Sequence, residues 1–140
     1  MPVLTHHLAL QMKGDSHIEN MTSHVRHLLS DSDLRAGIIT IFVKHTTASV
    51  FIIEDEPGLR ADTKTIWDRL IPADPTWQHN TRNPGEVNGH SHLRGQFQGQ
   101  SVTIPFVDGE LALGAWQEIV MIDFDTRARE RDLIIQIMGE

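Results

Sequence analysis

The segment Gly37–Val43, GIITIFV, constrains the fold more than any other stretch of this 140-residue chain. It is apolar at nearly every position and rich in β-branched side chains, which favour extended backbone. A short run of this kind reads as a strand covered on both faces, so Ile38 to Val43 is expected at the centre of the core. The chain returns after Lys44-His45-Thr46-Thr47-Ala48-Ser49 as a second apolar run, Val50 to Ile53, giving a strand pair interrupted at His45.

Flanking patterns extend this sheet. Val3 to Lys13 alternates partly between apolar and polar residues and reads as a first strand, ended by Gly14-Asp15. Asn20 offers a cap for a short helix over Met21 to Leu29, where Met21, Val25, Leu28 and Leu29 share a face. Pro57 suits the first turn of a second helix, whose stripe of Leu59, Thr63, Ile66, Trp67 and Leu70 stops by Pro72. Residues 73 to 89 are rich in Pro, Asn, Asp and Gly and predict a long irregular loop. From residue 90 an antiparallel meander is expected: Val102–Val107 and Leu111–Leu113 around the tight-turn dipeptide Asp108-Gly109, then Trp116–Phe124 and Asp132–Met138. Pro105 belongs at an edge or bulge, because it cannot donate to a ladder. The expected architecture is therefore α+β, one domain over residues 1–140, with a largely antiparallel β-sheet sandwich and two main helices.

Composition narrows the partners. The net charge of −7, spread along the chain, argues against nucleic acid, which needs a basic face. The absence of cysteine removes disulfides and thiolate zinc sites, so any metal needs nitrogen or oxygen ligands. No secretory pattern opens the chain and no stretch approaches the roughly 20 apolar residues that span a bilayer. A cytoplasmic protein with no membrane partner is expected.

Nine histidines direct attention to possible chemistry. His6-His7 in a strand and His24 with His27 on a helix surface read as solvated or structural. His90-Ser91-His92 is sharper. On extended backbone, residues i and i+2 face one way, so both imidazoles would approach one ion or one substrate oxygen; a polar turn is the plain alternative. The missing carboxylate after His92 weakens a cupin reading. His45-Thr46-Thr47 at a strand end can hold a phosphate or orient a water, or can simply cap the strand. Glu54-Asp55-Glu56 precedes a helix, where carboxylates complement the dipole; Asp55 is also a candidate ligand or base. No Gly-x-Ser-x-Gly elbow, Walker loop or dinucleotide fingerprint is present.

Together KHTTASVFIIEDEPG (44–58), NGHSHL (88–93), GQSVTIPFVDGELALGAWQEI (99–119) and RERDLIIQIMGE (129–140) resemble the YjbQ family over nearly the whole chain. The resemblance implies a YjbQ-like α+β domain, a homotrimer, and a histidine cluster holding a divalent metal ion such as zinc, magnesium or manganese. It implies that His45, His90 and His92 are metal ligands meeting Asp55, with His79 and Asn88 on a loop above them and Asn88, Trp116 and Gln117 contacting the ligand. The activity catalogued for the family is a secondary thiamine-phosphate synthase, which joins hydroxymethyl-pyrimidine diphosphate to thiazole phosphate and releases diphosphate. Thr46 or Thr47 would then contact phosphate, and Arg129, with Arg131 nearby, would neutralise the leaving group. Ala115 stands where the family usually has threonine, and Thr126 to Ala128 lacks the usual proline; the first is expected to remove a hydroxyl near the site and the second only to loosen a turn. Two other functions stay open: a metal-dependent hydrolase of a small phosphorylated compound, and a non-catalytic trimeric protein that binds a metal or small ligand.

Overall fold

A computed structural model describes residues 1–140. Two antiparallel sheets form it. The larger has five strands in the order β1 (Val3–Met12), β8 (Arg129–Gly139), β3 (Gly37–Val43), β5 (Ser101–Val107) and β6 (Glu110–Leu111). The smaller has β2 (His17–Asn20), β7 (Glu118–Asp123) and β4 (Ala48–Ile53), with β7 central. The apolar runs at 37–43 and 48–53 are therefore not a hairpin pair; the chain crosses from one sheet to the other at His45.

Inward-facing Ile39, Ile41 and Val43 of β3 and Leu133, Ile135 and Ile137 of β8 meet Val50, Ile119 and Met121 of the second sheet in one core. The other face of the smaller sheet, with Val120, Ile122, Phe51 and neighbouring Phe124, forms a second core beneath α2 (Pro57–Leu70). There Trp67 packs edge-on against Phe124, ring centres 5.2 Å apart, an arrangement aromatic pairs prefer. Glu56 caps α2 by accepting the N–H groups of Gly58 and Leu59 at 2.8 and 2.7 Å, which satisfies two of the donors a helix start leaves free. Helix α1 (Thr22–Ser32) buries Val25 and Leu29, and Asn20 Oδ1 accepts the N–H of Thr22 at 2.9 Å. Asp108 and Gly109 both take positive φ, 53° and 77°, so the β5–β6 turn is the primed type that suits a twisted hairpin. Pro105 precedes the short span that pairs with β6, so its missing N–H interrupts no ladder there.

Two expectations are corrected. β3 is covered on one face only: Ile38 and Phe42 remain 38% and 43% exposed on the outer surface of the five-stranded sheet. The region from 73 to 98 is not a loop leading to a strand, since it contains α3 (Gln78–Arg82) and α4 (Gly89–Gln98), making four helices. α4 is pinned from three sides. Ser91 Oγ donates to the carbonyl of Phe124 at 2.6 Å, the buried Arg94 donates twice to the carbonyl of Ile71, and Gly95 lies so close to the carbonyl of Thr46 that a Cβ would collide with it. No helix is long and apolar enough to cross a membrane.

Candidate functional site

The site forms where β8, the end of β7, the His45–Thr47 crossover and α4 meet. Strand periodicity puts Arg129 and Arg131 on the same face of β8 as Leu133, Ile135 and Ile137. Arg131 thus enters the core, with 0% exposure. It is matched by Asp123 on β7, also 0% exposed, through Nε–Oδ2 and Nη2–Oδ1 contacts of 2.7 and 2.6 Å. A bidentate, charge-assisted pair of this kind fixes both groups. Arg131 Nη2 also donates to Thr47 Oγ1 at 2.8 Å, and Thr47 Oγ1 donates to Asp125 Oδ2 at 3.1 Å.

Asp125 is the hub. Its Oδ1 accepts from Asn88 Nδ2 at 3.2 Å and from the Thr126 N–H at 2.8 Å, and its Oδ2 accepts from Arg129 Nη1 at 3.3 Å. Burial alone would raise its pKa, but the hydrogen bonds from Thr126, Asn88 and Thr47, with the charge of Arg131, outweigh it and hold the carboxyl below its ordinary 3.8. Asp125 is therefore an anion at neutral pH.

Two adjoining pockets of about 570 and 260 Å³ open around this hub and share Asn88, His92, Asp125 and Arg129. The larger continues to His79, Glu86 and Arg127, the smaller to Lys44, His45, Thr46, Thr47 and Arg131. Four cationic side chains, Lys44, Arg127, Arg129 and Arg131, thus line the joined pocket against the carboxylates of Glu86 and Asp125. Locally the sign of charge is the reverse of the chain's net −7. Three of the seven buried polar atoms without a partner in the chain, His79 Nε2, Asn88 Oδ1 and Arg131 Nη1, belong to residues that line this pocket; the others, on His6, Ser16, Ser49 and His90, lie elsewhere. Buried unpartnered groups are costly, and the three at the pocket are free to meet a polar ligand there.

The histidines occupy distinct states. His45 Nε2 receives the main-chain N–H of Asp132 at 3.0 Å. That nitrogen is therefore the bare one of a neutral ring, and the Asp132 carboxylate 3.8 Å away is not its ion-pair partner. Burial, then the charges of Arg131 and Arg129, lower its pKa from 6.5. His92 is lowered by burial and then by His79, whose ring centre lies 4.5 Å away. His90 is lowered by burial and then by Arg94.

The structure brings His45, Thr46, Thr47, Asn88, His92 and Arg129 to the joined pocket. Four expected residues stand elsewhere. His90 lies inside the molecule, 6% exposed and outside the pocket lining, because residues i and i+2 on a helix diverge by roughly 200°. Asp55 is held by Arg60 Nη2 at 2.8 Å and Asn20 Nδ2 at 2.9 Å on the α2 side. Its pKa is lowered first by that Arg60 contact. Trp116, 74% exposed, and Gln117 belong to the turn before β7, where Gln117 Oε1 accepts the N–H of Gly114. Ala115 is in the same turn, whereas Thr126 and Arg127 line the larger pocket. The two departures from the family pattern thus exchange importance: 126–128 borders the site and Ala115 does not.

The expected metal set does not fit. His45, His90 and His92 do not converge, and the chain forms no group of three histidine or carboxylate side chains able to hold an ion. The imidazoles that do meet are His79 and His92, two donors where protein sites ordinarily supply three or four.

Asp123, Asp125 and Arg127 escaped the sequence reading. The sequence shows aspartates bracketing Phe124 at the end of an otherwise apolar strand, but not which arginine they meet, and Arg127 lies in the exposed turn before β8.

The family model described as UPF0047 protein YjbQ-like matches residues 6–140. A UPF0047 protein of Methanothermobacter thermautotrophicus is 32% identical, covering 100% of this chain and 95% of its own. One from Synechocystis is 30% identical over 95% and 90%. Among solved structures, a YbjQ-like protein of unknown function from Sulfolobus solfataricus superposes with a TM-score of 0.93 at 29% identity, over 99% of each chain. A hypothetical protein from Aeropyrum pernix gives 0.90 at 32%, over 98% of this chain and 99% of that one. The chain belongs to the UPF0047 YjbQ-like family.

Proposed function

We propose that the joined pocket binds a small phosphorylated compound and promotes departure of its phosphate or diphosphate group, in a cytoplasmic transferase of the thiamine-phosphate-forming type. The observation that carries this reading is the convergence of Lys44, Arg127 and Arg129 on one pocket, with the enclosed Arg131 matched by Asp123 behind them, in a chain whose net charge is −7. Donors held in advance where negative charge develops stabilise a leaving group more than mobile water does. Arg129 is held by Asp125 and is partly open to the pocket, so it is assigned to the departing oxygens. Thr46 is exposed, whereas Thr47 Oγ1 is already engaged by Asp125 and Arg131; the phosphate contact therefore falls to Thr46. In the transfer, the carbon–oxygen bond to diphosphate breaks as the thiazole nitrogen forms its new bond to carbon, and the bond electrons leave with diphosphate.

The depressed pKa of His92 keeps its ring neutral at pH 7, so it can accept a proton if the incoming nucleophile is a water or hydroxyl. That observation favours hydrolysis as the second reading. Both are tested by incubating the purified chain with the two thiamine precursors and, separately, with a panel of phosphate esters, with and without magnesium, manganese or zinc. Product that disappears in His92→Ala and persists in His90→Ala supports the site. Turnover of the esters but not the precursors would make the protein a hydrolase. Absence of turnover in both, with phosphate still bound, would leave a binding protein.

A homotrimer is the proposed assembly. Its support is the outer face of the five-stranded sheet, where Val3, Met138, Ile38 and Pro105 form one row across four strands. His7, Ile134, Phe42 and Ser101 form another, and no charged residue lies in either row. An uncharged, partly apolar sheet face is an unusual surface to leave in water. Sedimentation of the purified chain tests it, with Phe42→Lys expected to shift the protein toward monomer.

A further inference from the structure

Beside the cationic pocket lies a cavity of about 410 Å³ with a contrasting lining: Trp77, Leu93 and Gln96, with His79 and His92 as the wall shared between the two. No carboxylate, lysine or arginine borders it. We propose that this cavity is a second subsite of the same site, taking the uncharged, flat ring of a phosphorylated ring compound while its phosphate lies among Arg129, Lys44 and Thr46. The inference rests on the phosphate reading above and adds where in the fold, and between which side chains, the ring of such a compound lies.

Three features carry it. First, the two cavities meet at the imidazoles of His79 and His92, so one molecule can occupy both across that pair. Second, the walls are fixed and include the rings of Trp77, His79 and His92. Trp77 is tethered by its indole N–H to the carbonyl of Pro72 at 2.9 Å, and α4, which carries Leu93 and Gln96, is anchored through Ser91 and Arg94. Aromatic and imidazole faces favour stacked planar groups over branched ones. Third, the lining separates by charge, with every cation and carboxylate on one side of the histidine pair and none on the other. A ligand matched to both needs an anionic end and a neutral end, since a second charge in the neutral cavity would lose hydration without gaining a partner. The volume suits one ring with small substituents, at the lower end of small-molecule pockets.

The test compares inorganic phosphate, ethyl phosphate and benzyl phosphate binding to the full chain by titration calorimetry. Benzyl phosphate is expected to bind about tenfold more tightly than ethyl phosphate, as burial of one ring predicts. Gln96 is exposed, so Gln96→Trp can fill the cavity without disturbing the fold. It should bring the two esters within about twofold of one another while leaving inorganic phosphate unchanged. Trp77→Ala, checked for folding by thermal melting, should also lower the benzyl preference. Equal affinities of the two esters for the unaltered chain, or a preference that survives Gln96→Trp, would overturn the ring subsite and leave the phosphate pocket standing. Failure of all three probes to bind would overturn both.

Discussion

Replacing Asp123 by asparagine should destabilise the protein by about 3 kcal/mol, the lower part of the range for stranding one partner of a buried ion pair. Asp123 and Arg131 are both fully enclosed, and the guanidinium makes contacts of 2.7 and 2.6 Å with the two carboxylate oxygens. Asparagine keeps one oxygen, which can still receive the N–H of Asp125 now 2.9 Å from Asp123 Oδ1. It presents an NH₂ in place of the other oxygen and removes the neutralising charge. The cost stays near the lower limit because Asp125 Oδ2 remains 3.6 Å from Arg131 Nη2 and Thr47 still accepts from it. With an unfolding entropy of about 2.1 cal/mol/K per residue, the melting temperature should fall by about 10 °C. Urea unfolding and calorimetry measure the change directly. The double variant Asp123→Leu/Arg131→Met should recover most of the loss, since apolar packing can replace a buried pair but an unmatched charge cannot be accommodated. A loss below about 1 kcal/mol for Asp123→Asn, or a double variant less stable than the single one, would refute the reasoning.

Two further predictions follow from the packing and the titrating groups. Gly95→Ala drives a Cβ into the carbonyl of Thr46; it should cost about 1–3 kcal/mol and weaken phosphate binding by shifting the His45–Thr47 crossover away from α4. Stability should fall as pH drops below 6.5, because His45, His90 and His92 all have folded-state pKa values lowered from 6.5. The unfolded chain then binds more protons than the folded one. The loss continues until the folded-state rings protonate, and it is separate from that of Asp125, whose carboxyl is lowered from 3.8 and acts only in stronger acid. Urea midpoints at pH 7.5 and 5.5 check this, with the lower midpoint expected at 5.5, and an equal or higher one there would contradict it.

The strands were legible because their chemistry is local. Ile38 to Val43 and Val50 to Ile53 are largely β-branched and apolar whatever surrounds them, and Pro57 and Pro72 bracket α2 by their backbone constraints alone. Sheet membership was not legible, since nothing in the His45–Ser49 crossover distinguishes a hairpin from a passage between sheets. Helix α4 was hidden by its composition: Gly89 and Gly95 are poor helix formers, and Leu93 with Phe97 gives only one apolar i, i+4 pair. That misreading put His90 beside His92 and hid the partner His92 does have, His79, which reaches it through α3. Asp55 invited a role by its charge, while its neighbour Arg60, five residues on and one helical turn into α2, claims it structurally. Asp123 and Asp125 needed tertiary information, because a carboxylate ending an apolar strand does not announce whether an arginine will come from a strand that follows it.

The measurement that tests the central claim most directly is phosphorus NMR of inorganic phosphate titrated with the unaltered chain and with Arg129→Ala at pH 7.5. The cationic pocket predicts line broadening that salt reverses and that Arg129→Ala reduces several-fold. Unchanged phosphate signals with the unaltered chain, or identical broadening by Arg129→Ala, would contradict it.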